Sequence, residues 1–272
     1  MHLHVEDQLD DIPNIDERKL IDSIEGYVPF SEVDVTTSTC VVYFTSECVI
    51  PLEVYHNIDI VQDDSIYLKK EGNKKVIVGI ASPGSILSAK MKGDQYPSRG
   101  LDKNKGFSTA VTLDMSLEDK NVNIFLFKGS FKITGVKCKE HPISVFRYIS
   151  VHLKYMKSIG YNVCTELPSI SSIKWGMIQL QFCLSPHNNL MEVNNRLKGI
   201  GGFLSRYIPT VNNDYMEVRF PSPYKKKNSD RKYRLFKCYK DFKVSFTAFG
   251  WEESYKLYKW LWLVYHTVSS HS

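Results

Sequence analysis

The sequence predicts an α+β fold in which antiparallel strands are covered by helices on one face only, and three observations lead to it. Segments of alternating apolar and polar residues, the period of a half-buried strand, precede segments with apolar residues three and four apart, the period of an amphipathic helix. That order of strands and then a long helix occurs twice, which points to an internal duplication. The 272 residues are 43% hydrophobic, 12% aromatic and 24% charged, enough apolar material for a packed core and inconsistent with a disordered or low-complexity chain.

Residues 1–34 read as an acidic leader in which Arg18 and Lys19 are the only Lys or Arg. A secretory signal would be basic and then apolar there, and no run approaches the roughly 18 apolar residues that span a bilayer, so a soluble protein with no membrane partner is expected. The first repeat is placed at 35–160. It opens with a strand at 39–48 and a short helix after Pro51 carrying Leu52, Val54, Tyr55 and Ile58. Residues 59–106 look like an insertion. A strand at 107–115 follows, with Val111, Leu113 and Met115 alternating with Thr112 and Asp114, and then a polar hairpin and a second strand at 123–134 that Gly135 ends. From 142 to 159 the period changes: Ile143, Phe146, Ile149, Leu153 and Met156 define a helix of about five turns, with Pro142 suited to its first turn and Gly160 to its stop.

Residues 161–172 read as a polar linker, and the second repeat spans 173–268. Its strand at 176–184 alternates Ile178, Leu180, Phe182 and Leu184 with Gln179 and Gln181, and Pro186 introduces a helix through Leu190, Val193 and Leu197. After a glycine break come a strand at 214–220, a basic hairpin (Lys225, Lys226, Lys227, Arg231, Lys232), a strand at 234–247 and a helix from Glu252 with Tyr255, Tyr258, Leu261, Trp262 and Tyr265. The basic hairpin suits phosphate, a nuclear-import signal or simply a solvated turn.

The chain has 35 Lys+Arg against 30 Asp+Glu, a net charge of +5, and because the leader is acidic the rest is more basic than that total. Such a body suits a polyanion. The six cysteines form no C-x-x-C pair and several lie in apolar runs, as buried thiols of a reducing compartment do, with metal binding the alternative. No phosphate-loop, H-E-x-x-H or G-x-S-x-G motif is present, so neither an enzyme nor a cofactor is expected.

Strand alternation sorts the faces. On 123–134, Phe125, Phe127, Phe131 and Ile133 are expected in the core, and Ile124, Leu126, Lys128, Ser130, Lys132 and Thr134 on the open face. In the second half Phe236, Cys238, Phe242, Val244 and Phe246 should meet the helices, and Lys237, Tyr239, Lys243, Ser245 and Thr247 the open side. Alternation with exposed Lys and Thr also describes an ordinary solvated sheet; the repeat is what favours a functional face.

The ordered series met twice, and above all the Phe-led strand at 107, the hairpin and the strand closing on Thr134-Gly135-Val136-Lys137, resembles the TATA-box-binding protein family. The divergent hairpin and long insertion are similar to versions encoded by large cytoplasmic DNA viruses. The resemblance covers 35–160 well and 173–267 loosely. It implies a duplicated saddle: a curved antiparallel sheet with helices on the convex face and the minor groove of AT-rich promoter DNA under the concave one. It further implies a monomeric transcription-initiation factor that bends double-stranded DNA and works with basal transcription factors or RNA polymerase, in the host cytoplasm (the viral factory) if viral and in the nucleus otherwise. Carried over by position, the wedges that kink DNA would be Phe107, Leu126, Ile208 and Tyr239. Groove or phosphate contacts would come from Thr39, Val41, Ile124, Lys132, Thr134, Gln179, Lys243, Ser245 and Thr247. Thr39 and Met177 stand where the family has paired asparagines, and Gln179 where it has a valine. Those departures keep open an interaction module that has lost DNA binding; a nucleic-acid enzyme with a related accessory sheet is a third class.

Overall fold

Two periods of apolar residues, two and about 3.6, recur along this chain, and the elements they form follow the sequence closely. A computed structural model describes residues 15–61, 67–70, 74–77, 81–93, 95–97, 99–100, 109–118, 120–184, 189–198, 204–210, 214–221 and 233–269. In chain order the elements are α1 (Glu17–Ser23), a 3-10 turn (Phe30–Glu32), β1 (Asp34–Phe44), α2 (Pro51–Asn57), β2 (Tyr67–Lys70), β3 (Lys74–Ile77), β4 (Ile86–Lys90), β5 (Arg99–Gly100), β6 (Val111–Ser116), β7 (Asn121–Leu126) and β8 (Ser130–Val136). They continue with α3 (His141–Ser158), β9 (Ile170–Cys183), α4 (Leu190–Lys198), β10 (Leu204–Ile208), β11 (Tyr215–Pro221), β12 (Tyr233–Tyr239), β13 (Lys243–Phe249) and α5 (Gly250–Ser269).

The chain divides into a middle unit, Ser38–Gly176, and a terminal unit made of Met1–Thr37 and Met177–Ser272. The division falls inside β1 and inside β9. In the middle unit the strands run in the order β1-β8-β7-β6-β4-β5, every pair antiparallel. In the terminal unit the order is β10-β11-β12-β13-β9, again antiparallel. Each unit therefore passes from its first strand to a short helix, then through strands that add back toward the first, and ends in a long helix. Within the stretch read as an insertion, β2 and β3 form a separate hairpin, whereas β4 pairs with β6.

The middle core lies between α3 and one face of its sheet. Val145, Ile149, Leu153 and Met156 of α3 are buried with Cys40, Val42, Leu113, Ile124, Leu126, Phe131 and Ile133. In the terminal unit Phe182, Val244 and Phe246 are buried with Leu257, Tyr258, Leu261 and Trp262 of α5, and the Phe182 ring meets Tyr258 at 4.7 Å between centroids. Phe242 is buried as expected, its ring 6.3 Å from that of Tyr265.

The structure differs from the sequence reading in four places. The segments 123–134 and 234–247 are hairpins, β7–β8 and β12–β13, rather than single strands. Gly135 does not end its strand: at φ 86° it is the extra residue where Ser38 pairs with Val136 and Thr39 with Thr134. That is a β-bulge with glycine in the left-handed conformation, which bends the strand and which a Cβ would strain. The end of the acidic segment is ordered against α5. Asp16 caps α1, and Glu17 accepts hydrogen bonds from the Tyr27 hydroxyl (2.9 Å), the Phe30 amide (2.8 Å) and the Tyr255 hydroxyl (3.0 Å). Residues 161–172, read as a linker, include buried Val163 and Cys164, and Val49 bridges to Cys164.

Candidate nucleic-acid interface

Alternation leaves each sheet a face turned away from its helices, and cross-strand register determines which side chains share it. In the middle unit, Val41 pairs with Lys132, Lys132 with Phe125, Phe125 with Thr112 and Thr112 with Lys90. The next row is Thr39, Thr134, Asn123, Asp114 and Ser88. Lys132 is exposed, and its ammonium lies 5.9 Å from the centre of the Phe125 ring. Toward β4 the face closes: Lys90, 4% exposed, pairs with Asp114 at 3.3 Å, and Ser88 donates a hydrogen bond to the same carboxylate oxygen. An ion pair so far from water is held by mutual neutralisation and is unsuited to meeting a phosphate.

Ile124 and Leu126 are corrections. Both are 0% exposed and lie in the helix-covered core, so neither a groove contact nor a wedge is available from them. Across the β7–β8 turn the paired residue numbers sum to an odd value, as in Leu126 with Phe131 and Ile124 with Ile133. Even positions of β7 therefore share a face with odd positions of β8, and unbroken alternation through residues 123–134 inverts β7. Phe125, expected in the core, is instead an aromatic of the open side, as is Tyr43, which pairs with Ser130. Phe107 lies outside the described residues, as does the basic hairpin.

In the terminal unit the expected sorting holds. Gln179 pairs with Thr247 and Gln181 with Ser245; Ser245 continues to Lys237, Glu217 and Arg206. Lys243 pairs with Cys183 at the end of the same face. Ile208 and Tyr239, two positions assigned to wedges, are joined through Tyr215: Ile208 pairs with Tyr215 and Tyr215 with Tyr239, their two rings 6.0 Å apart. Lys237 lies 4.8 Å from the centre of the Tyr215 ring and 3.7 Å from Glu217, which also holds Arg219 at 3.5 Å. Tyr215, Glu217 and Arg219 carry this face although the sequence reading did not single them out. The alternation of 215, 217 and 219 with buried Met216 and Val218 was the signal that could have found them.

Around this face two titrating groups have clear surroundings. The Tyr207 hydroxyl donates to Asp214 at 2.6 Å and the Thr210 amide at 3.0 Å, and these bonds hold the Asp214 carboxyl below its usual range. Burial pushes the Cys238 thiol up to about 12, so it stays protonated, while Cys183 is exposed. Among the described residues no group of three His, Cys, Asp or Glu side chains could hold a metal ion. Chemically, the two faces offer cations, aromatic rings, hydroxyls and amides, the set that meets phosphates, sugars and base edges.

No family model matches the chain, and no curated protein sequence matches it. Among solved structures the chain is similar to a TBP of Methanococcus jannaschii, at 16% identity and a TM-score of 0.44 over 87% of this chain and 99% of that one.

Proposed function

We propose that the protein is a non-enzymatic, DNA-binding transcription-initiation factor of the TATA-binding type, whose two units are repeats that together cover and bend the minor groove of promoter DNA. One observation carries the reading. Each unit sets an aromatic ring on its open face just before a hairpin turn, with a lysine starting or lying on the next strand: Phe125 beside Lys132, and Tyr239 ahead of Lys243. A lysine there neutralises phosphate, and a ring beside it can press on a sugar or enter a base step, turning unstacking into a bend that gains contact area. Phe125 takes the part assigned to Leu126. Basal transcription factors or a polymerase would then meet the helix-covered side.

The test is a fluorescence titration of AT-rich and GC-rich duplexes labelled at both ends, reading affinity by anisotropy and bending by energy transfer. Binding with bending, reduced in Phe125→Ala and Tyr239→Ala, is the expected result. The second reading, a protein-interaction module, draws on Glu217, a carboxylate amid the cations of the terminal face. It is favoured if no duplex binds even at low salt.

A further inference from the structure

Building on that reading, we infer that Gln179 selects a guanine in the half of the DNA site under the terminal unit, by accepting a hydrogen bond from the guanine 2-amino group, and so fixes the direction in which the protein binds. The minor groove of A·T pairs shows only acceptors, adenine N3 and thymine O2; a G·C pair adds a single donor, the guanine 2-amino group. An amide oxygen presented to the groove matches that donor and finds no donor on an A·T pair.

Gln179 is held for this. Its backbone carbonyl accepts from the Thr36 hydroxyl at 3.2 Å, and its side-chain Nε2 donates to Ser245 Oγ at 3.3 Å, which leaves Oε1 as the end of the amide turned from its partner. Its surroundings on the face are neutral: Thr247 opposite, with Gln181 and Ser245 in the next row. The cations lie toward other places on the same sheet, Arg206, Arg219 and Lys237 on β10–β12 and Lys243 at the end of β13. Cations elsewhere on the face and neutral hydrogen-bonding groups around Gln179 match the division of labour between phosphate contacts, which position, and base contacts, which specify. The corresponding strip of the middle unit, where β1 lies beside β8, holds Val41 opposite Lys132 and Thr39 opposite Thr134, with no amide. The two strips therefore offer different chemistry, and the middle unit's own open-face amide, Asn123, lies one strand further away, on β7 beside Thr134.

The experiment places a single G·C pair at successive positions of an otherwise A·T duplex, and then replaces the guanine by inosine, which removes only the 2-amino group. With the full chain, one position should bind best, inosine there should weaken binding roughly 5-fold, the worth of one neutral hydrogen bond, and Gln179→Leu should abolish the difference. Denaturation of the variant checks that its fold is intact. If inosine costs nothing at any position, or costs the same in Gln179→Leu, the assignment to Gln179 is wrong while DNA binding stands. If neither the protein nor the variant binds any duplex, the DNA-binding reading itself fails and takes this inference with it.

Discussion

Truncating Leu126 and Phe125 separately tests the face assignment that the whole site depends on. Leu126 is 0% exposed and shares the core with Val111 and Phe131, its neighbours on the two adjoining strands. Removing its isobutyl group leaves a cavity the sheet cannot close, and such Leu→Ala changes cost about 3 kcal/mol. With a urea slope of about 3 kcal/mol per molar for a chain of this size, the midpoint should fall by about 1 M. Phe125 is only half-buried on the opposite side, so Phe125→Ala should cost about 1 kcal/mol or less. Urea unfolding followed by circular dichroism, alongside duplex bending, separates the two. Phe125→Ala destabilising as much as Leu126→Ala would refute the assignment, as would a Leu126→Ala protein of unchanged stability that no longer bends DNA.

Replacing Lys132 and Lys243 together by valine should flatten the dependence of log affinity on log salt by up to about two units, as potassium chloride titrations would show; an unchanged slope removes both phosphate contacts. Asp214 has a depressed folded pKa, so its contribution to the β10–β11 turn is present above the unfolded pKa and lost as pH falls through the folded one. Tyr207→Phe should therefore move the Asp214 titration upward by NMR and loosen the turn at a higher pH; an unmoved midpoint breaks the link. At neutral pH a thiol reagent should modify Cys183 far faster than Cys40 or Cys238, whose thiols burial pushes up to about 12, and a bound duplex should protect Cys183 because it lies on the open face beside Lys243. Equal labelling with and without DNA counts against that face as the binding surface.

The long helices were legible because period sets most of their cores: α3 buries Ile149, Leu153 and Met156, and α5 buries Tyr258, Leu261, Trp262 and Tyr265, as the spacing predicts, while Ile143, Phe146 and Tyr255 are only half-buried and Val145, not expected, is fully buried. The two misread hairpins show why strand faces were legible in one half and not in the other. Across β12–β13 the paired numbers sum to an even value, as in Cys238 with Val244, so alternation continued through the turn keeps every residue on its proper side. Across β7–β8 the sum is odd, and the same reasoning inverts Ile124, Phe125 and Leu126. Nothing in the apolar pattern reveals the parity of a pairing, because Phe125 and Leu126 are equally apolar and the turn at Lys128 and Gly129 adds no marker of its own length. The helix α1 was hidden for another reason. It has seven residues, too short to persist alone, and depends on Glu17 reaching Tyr27, Phe30 and Tyr255.

The bond between Tyr255 and Glu17 joins residues 238 positions apart, and it has a consequence for synthesis. The middle unit is one continuous stretch, complete once residue 176 has left the ribosome, whereas the terminal unit needs both Glu17 and α5. Domains fold as their chains emerge, so the middle unit should form first while residues 15–33 wait, without their docking partner, for the last helix to arrive. During that interval Tyr27 and Phe30 have no Tyr258 or Trp262 to pack against. Pulsed proteolysis of stalled nascent chains should find the segment around Tyr27 cleavable until α5 is free, and protected from then on; protection before α5 emerges would show that the segment finds its place by another route.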